Sequence, residues 1–354
     1  MSYQILVINP GGGSTRVALF RDEKRYMDEN IQHPSEELSR FPKILDQYEY
    51  RKEAILNLLK DRRISLEKLS CVVGRGGPFK PLESGTYRVT HRVIEDIRKG
   101  RVQSEHPSLL GALIAKDIAD PLNIPAFFVD PVSVDEFWEL SRYSGLKEIR
   151  RKALSHALSV KMAAKEAAKR LKKSYKRCNF IVVHLGTGIT VAAHLKGRQV
   201  DANNANEDGP FSPQRTGSLP LPPLVELCYK YSKEEILKKI QRKGGLLSYL
   251  GTDDIREIER RIEEGDEEAE MVYEAMVYQI AKEIGAYAVV LKGKIDAIVI
   301  TGGMAHSKRL IRSLRGWIGF LSKKIFVFPG EREMEALAKG ALRVLKGEEN
   351  EKTY

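Results

Sequence analysis

Three strand-like stretches open the chain. Residues 3–9, 14–20 and 25–31 each read as a strand, separated by short polar or glycine-rich segments. An amphipathic helix follows over 46–60, then a strand over 69–74 that ends in GRGG. Helical spacing returns at 91–99 and 107–120, before the short apolar run PAFFVD. Beyond it the pattern predicts a helix near 133–143 and an alanine-rich, basic one over 155–173. The strand, turn, strand pattern then reappears, followed by a strand at 198–202, helices within 222–263 and a long helix over 266–291. KIDAIVITGGMAHSKRLIRSL reads as strand, glycine pair and helix, and the strand KIFVFP with a helix at 334–346 closes the chain.

Residues 5–20, ILVINPGGGSTRVALF, lie over residues 180–195, FIVVHLGTGITVAAHL, at a gapless offset of 175. Gly11 falls on Gly186, Gly13 on Gly188, Thr15 on Thr190 and Asn9 on His184. One hairpin of this kind opens each half, which points to an internal duplication, with chance similarity of two hairpins as the alternative. A turn lined by backbone N–H groups, the hydroxyls of Ser14 and Thr15 and the cation of Arg16 suits a phosphate. An ordinary flexible hairpin turn fits the same residues. The glycine pair at 302 and 303, between a strand and a helix, reads as a third candidate contact of the same type, for a nucleotide.

The length of 354 residues is natural for two domains. A formal net charge of +11 raises the question of nucleic acid, but the basic residues alternate with acids along helical segments such as EEILKKIQRK, which is the pattern of solvated helix faces. The basic runs lack a regular interleaving of aromatic residues, so no nucleic-acid partner is expected; an anionic small molecule is compatible with the charge. No apolar run approaches the roughly 18 residues of a membrane span, and the first ten residues have no basic start or small-residue cleavage site. Cys71, Cys178 and Cys228 are far apart and unpaired in spacing, which fits a reducing compartment. The expected location is the cytoplasm, with no membrane partner.

The ordered set NPGGGST, VGRGG, VDPV, SHAL, HLGTGIT, DGPFSPQRTGSLPL, TGGMAH and FPGERE, spread over almost the whole chain, resembles the acetate/butyrate kinase family of the actin, heat-shock-chaperone and sugar-kinase superfamily. VDPV and GPFSPQRTGSLP are similar to the butyrate kinase branch. The resemblance implies a duplicated two-domain, actin-like (ribonuclease H-like) α/β fold, each domain a mixed sheet flanked by helices with a nucleotide cleft between them. Its expected bounds are 1–131 for the acid-side domain, 132–331 for the nucleotide-side domain and 332–354 for a C-terminal helix returning to the first. It also implies reversible, ATP-dependent phosphorylation of a short-chain carboxylic acid, butyrate or a branched acid of similar length, by a homodimer or higher homo-oligomer. ATP/ADP and Mg2+ are the implied cofactors. An ionised carboxylate needs no general base, so the required parts are cations, phosphate-cradling backbone and a magnesium ligand.

By this resemblance Arg75 receives the substrate carboxylate, with Asn9 nearby, and Arg215 stabilises the phosphoryl group in flight. Asp130 positions magnesium and the reacting groups, His156 donates a hydrogen bond to the transferring phosphoryl group, and Glu333 organises the metal. Asn9, Gly12, Ser14 and Arg16 form the first phosphate turn; His184, Gly186 and Gly188 form the second. Gly302, Gly303, Asp254 and Arg256 neighbour the adenosine. The chain departs from the family pattern where Gly12 and Gly13 stand in place of hydroxyl residues, Arg16 in place of lysine, and Thr187 in a run that is usually all glycine. These changes touch the side-chain part of phosphate binding and leave the backbone part intact. Two other readings stay open: an acetate or propionate kinase, and an actin-like ATPase scaffold, which has no use for a carboxylate-receiving arginine.

Overall fold

β1 (Gln4–Pro10) is buried on both faces, which is why its sequence is a continuous apolar run and does not alternate. It pairs antiparallel with β2 (Ser14–Arg21), and β2 with β3 (Lys24–Gln32). After α1 (Ser35–Leu38) and α2 (Tyr48–Asp61), the chain enters β4 (Cys71–Gly74), parallel to β1 with Ile5 opposite Cys71 and Ile8 opposite Gly74. β5 (Thr86–Arg88), α3 (His91–Arg98), α4 (Leu109–Ala119) and β6 (Ala126–Val129) complete a six-stranded sheet in the order β3-β2-β1-β4-β6-β5. Leu6, Ile8, Val72 and Phe128 pack with Ile55 and Leu59 of α2 and with Leu110 and Ile114 of α4. β5, only three residues long, escapes a periodicity reading for that reason.

The computed structural model, which describes residues 2–354, divides into two units. The first runs to Asp135 and resumes at Arg332; the second spans Glu136–Glu331. In the second, α5 (Ala157–Arg170) precedes β7 (Asn179–Leu185), β8 (Ile189–Leu195) and β9 (Arg198–Ala202). Then come α6 (Leu221–Cys228), α7 (Lys233–Arg242), α8 (Gly245–Leu250), α9 (Ile255–Glu263), α10 (Glu267–Val290), β10 (Ala297–Gly302), α11 (Lys308–Ile318) and β11 (Ile325–Pro329). α10 lays Tyr273, Met276, Val277, Ile280 and Ile284 against Ile181, Val183, Ile298 and Ile300, while α5 covers the opposite face at Phe180, Val182 and Val299. The chain then returns to the first unit, where α12 (Glu333–Leu345) packs on β1, β4 and β6.

The two sheets repeat one order. β3-β2-β1-β4-β6 corresponds to β9-β8-β7-β10-β11, antiparallel through each hairpin and parallel beyond it. The α/β class and the duplication expected from the sequence are both present. A helix near 133–143 is not: that stretch is extended apart from a single 3-10 turn at Glu139–Arg142. Tertiary contacts override local propensity there. Val134 bridges to Leu82, Trp138 N–H donates to the Val200 carbonyl at 2.9 Å, and the Glu136 carboxylate is buried against the Lys161 ammonium and accepts from the Gln199 N–H at 2.7 Å. Among the described residues no helix is long and apolar enough to cross a membrane.

Candidate active site

The carboxyl ends of neighbouring parallel strands are where open α/β sheets present their chemistry. In the first unit those ends carry Asn9 on β1, Arg75 just after β4 and Asp130 just after β6. The start of α12 brings Glu333 to the same edge. Its Oε2 accepts a hydrogen bond from Asn9 Nδ2 at 2.9 Å, across 324 residues of sequence, and its Oε1 forms an ion pair with the Arg75 guanidinium. Three of the residues picked out by sequence therefore meet on one carboxylate. The Arg75 turn is fixed by close packing: a Cβ on Gly74 would lie 2.0 Å from the Gly111 carbonyl oxygen, so only glycine lets α4 approach the end of β4 this tightly. The Arg75 N–H also continues the ladder to the Ile8 carbonyl at 2.8 Å.

Asp130 is buried and takes a φ of 36°, a left-handed value uncommon for a residue with a side chain. Ser84 Oγ donates to its Oδ1 at 2.6 Å and the Gly85 N–H donates to the same oxygen at 2.8 Å. The segment before β5 thus holds the carboxylate in place. Strain of this kind is characteristic of functional positions.

In the first glycine turn, Gly11 N–H donates to the Ser14 carbonyl at 2.8 Å. None of Gly11, Gly12 and Gly13 has a left-handed φ, and a Cβ at Gly12 or Gly13 would meet no atom within 4 Å. Chain geometry therefore does not demand glycine at 12 and 13, and the bare backbone lies open to an incoming group. The Arg16 guanidinium makes a two-pronged pair with Asp28 on β3, at 2.8 and 2.7 Å. That pair ties two strands together.

In the second unit His184 is the penultimate residue of β7, and its ring stacks on His156 at a centroid distance of 4.4 Å. His156, at the N-cap of α5, shares a 2.8 Å hydrogen bond through Nδ1 with Thr190 Oγ1. Arg215 comes from the loop before α6 and lays its guanidinium on the β7–β8 turn, where a Cβ on Gly188 would stand 2.3 Å from its terminal nitrogen. Ser212 secures that loop, its Oγ donating to the Thr187 carbonyl at 2.6 Å and accepting from the Arg215 N–H at 3.2 Å. Burial lowers the Arg215 pKa and no carboxylate offsets it, so among the described residues this half-buried cation has no anionic partner. Gly186 lies against His184 Nε2 in the same turn.

Gly302 ends β10 next to Leu185 with a φ of 102°, and Gly303 begins the 3-10 turn Gly303–His306. Asp254 and Arg256 serve one another: Asp254 caps α9, accepting from the Arg256 N–H at 2.9 Å, and the Arg256 side chain folds back on it. Sequence reasoning missed the groups that support these residues. Beneath the loop that carries Arg215, Arg151 pairs with Asp201 at 3.0 Å and Asp208 at 3.5 Å. Glu283 of α10 is pushed up to about 7, first by burial and then by the charge of Asp208. Asp208 opens the motif DGPFSPQRTG and was within reach of a sequence reading; Glu283, inside a long amphipathic helix, carries no local signal.

Comparison with known proteins identifies the fold and the family. An acetate kinase from Porphyromonas gingivalis superimposes with a TM-score of 0.79 at 21% identity, covering 97% of this chain and 100% of that one. A propionate kinase from Francisella tularensis subsp. tularensis SCHU S4 gives 0.74 at 18% identity, covering 96% and 98%. An acetate kinase from Entamoeba histolytica gives 0.75 at 16% identity, covering 95% and 98%. These likenesses identify the fold as the two-domain, actin-like one. Residues 140–318, a little over half of the chain, match the model of the acetokinase family, and the chain belongs to that family.

Proposed function

We propose that this protein transfers the γ-phosphoryl group of ATP to a short-chain carboxylate, butyrate or a branched acid of four or five carbons, forming the acyl phosphate and ADP reversibly. The observation that carries the reading is the unpaired Arg215 guanidinium seated on a glycine turn, a cation positioned for a charge the protein itself does not supply. A carboxylate oxygen attacks the γ-phosphorus, the bond from that phosphorus to the β,γ-bridging oxygen breaks, and ADP leaves with the electron pair. No proton moves, because the acid is already ionised.

Arg75 and Asn9 are assigned to the carboxylate, Arg215 and His156 to the charge of the transferring group, and the backbone of the two glycine turns, with Ser14 and His184, to the phosphates. Gly302 and Gly303 are assigned to the nucleoside side. Asp254 and Arg256 stay in the proposal only as surface neighbours of it. Mg2+ supplies charge neutralisation on the phosphates when bound. The available protein donors, the carboxylate oxygens of Asp130 and Glu333, are hard ligands that suit it. Among the described residues no group of three or more His, Cys, Asp or Glu side chains is placed to hold a metal, so these two carboxylates would hold the ion together with water and phosphate.

A shorter acid is favoured by a different observation, the acetate and propionate kinases among the similar structures. Hydroxylamine trapping of the acyl phosphate over a series from acetate to isovalerate separates the two. Each methylene buried in a matched pocket contributes about 1 kcal/mol, several-fold in kcat/KM. Butyrate or isobutyrate ahead of acetate supports the proposal, and acetate ahead of both overturns the longer-acid reading.

A further inference from the structure

Arg51, on α2, is fully buried and, among the described residues, has no carboxylate partner. Its guanidinium is wrapped around the first glycine turn. One terminal nitrogen donates to the carbonyls of Gly11 at 2.9 Å and Ser14 at 3.1 Å and to Thr15 Oγ1 at 3.1 Å. The other donates to the Gly12 carbonyl at 2.9 Å and to Gln47 Oε1 at 2.9 Å, and Nε donates to that same Gln47 oxygen at 3.0 Å. Every acceptor is neutral. His33, the nearest titratable base, is bonded to Thr15 Oγ1 and held neutral, down to about 4, by burial and by Arg51 itself.

A buried arginine normally faces a carboxylate, because an uncompensated charge in the interior is destabilising by several kcal/mol. Here the hydrogen-bonding capacity is filled and the charge is left over. In a trans peptide the N–H following a carbonyl points the opposite way. With the Gly11 and Gly12 carbonyls drawn toward Arg51, the Gly12 and Gly13 N–H groups point away from it, and among the described residues neither donates to the protein. The turn is thus polarised across its thickness, with a cation beneath and two amide donors above.

We propose that Arg51 is the built-in counter-charge of this turn, a positioning residue that aims the Gly12 and Gly13 amides at a polyphosphate and supplies the positive charge that the missing lysine and hydroxyls do not. The inference rests on the nucleotide reading above.

The test places a carboxylate where Gln47 now sits. Gln47→Glu keeps the shape and both hydrogen bonds to Arg51 but neutralises it. The expected result is an unchanged or raised Tm, a rise of tenfold or more in the Kd and KM for Mg-ATP, and an unchanged KM for the carboxylic acid. A purely structural Arg51 would leave the ATP constants alone, so unchanged ATP binding in the folded variant overturns the inference. Hydrogen exchange on the wild-type chain provides a measurement independent of any variant. Inorganic tripolyphosphate should slow exchange in the peptide spanning residues 11–15, and absence of that protection at saturation also overturns it. A wild-type chain that binds no ATP at all sinks the functional reading itself, whereas ATP binding that is indifferent to Gln47→Glu sinks only the role of Arg51.

Discussion

Gly188→Ala tests the placement of Arg215 without touching its charge. The added Cβ would stand 2.3 Å from one terminal nitrogen of the guanidinium, 2.5 Å from Cζ and 2.9 Å from Nε. Ordinary contact begins near 3.4 Å, so the guanidinium must shift by about 1 Å. A displacement of that size in a group aligned with a transition state costs on the order of 100-fold in rate, or about 2.7 kcal/mol of barrier. The fold should barely register the change, because Gly188 has no left-handed φ and the displaced atoms end a flexible side chain. The expected outcome is a fall in kcat of about 100-fold with KM for the acid within a few-fold of wild type and Tm within about 3 °C. Acyl phosphate formation is followed by hydroxylamine trapping, and Tm by circular dichroism. Wild-type kcat in a folded Gly188→Ala protein would refute the assignment of Arg215 to the moving phosphoryl group.

Three further outcomes are expected. Gly13→Ala should stabilise the fold by about 0.4–1 kcal/mol in urea melts, since no atom obstructs the methyl group and the unfolded chain loses freedom, yet raise KM for ATP; an unchanged KM would remove the turn from nucleotide binding. Arg75→Ala should chiefly raise KM for the acid with KM for ATP nearly unchanged, and Arg75→Lys should recover only part, because a point charge does not reproduce a two-pronged contact; equal effects on both substrates would contradict the assignment. Glu283 has a folded pKa of about 7 against an ordinary value of roughly 4.3, so the folded chain binds more protons than the unfolded chain between those limits and loses stability as pH rises through them. Glu283→Gln should therefore gain on the order of 3–4 kcal/mol over wild type at pH 8 and almost nothing at pH 4, and a difference independent of pH would exclude burial of this carboxyl as its cause.

The strands, the repeated hairpin and the glycine turns are legible in the sequence because burial on both faces and turn chemistry are local signals. Asn9, Arg75, Asp130 and Arg215 stand at strand ends or in a long polar loop, where the motifs mark them. Segment 133–143 misleads because its backbone is used by Leu82 and Val200 and its Glu136 by Lys161, partners that no window of sequence contains. The partner of Arg16 is equally invisible in its own turn: Asp28 stands on the next strand, and only the fold brings the two together. Arg51 lies in an ordinary amphipathic helix 40 residues from Gly11, so only the fold reveals that it underlies the turn. Supporting residues of this kind are set by long-range packing and leave no periodic trace.

The central claim is that a carboxylate oxygen attacks phosphorus directly. Butyrate labelled with oxygen-18 in its carboxylate, incubated with Mg-ATP and the wild-type chain, tests it by phosphorus NMR. The account predicts butyryl phosphate with the heavy isotope in the oxygen bridging carbon and phosphorus, formed in step with ADP. ADP and unlabelled orthophosphate as the only new phosphorus species, with the butyrate untouched, would contradict it.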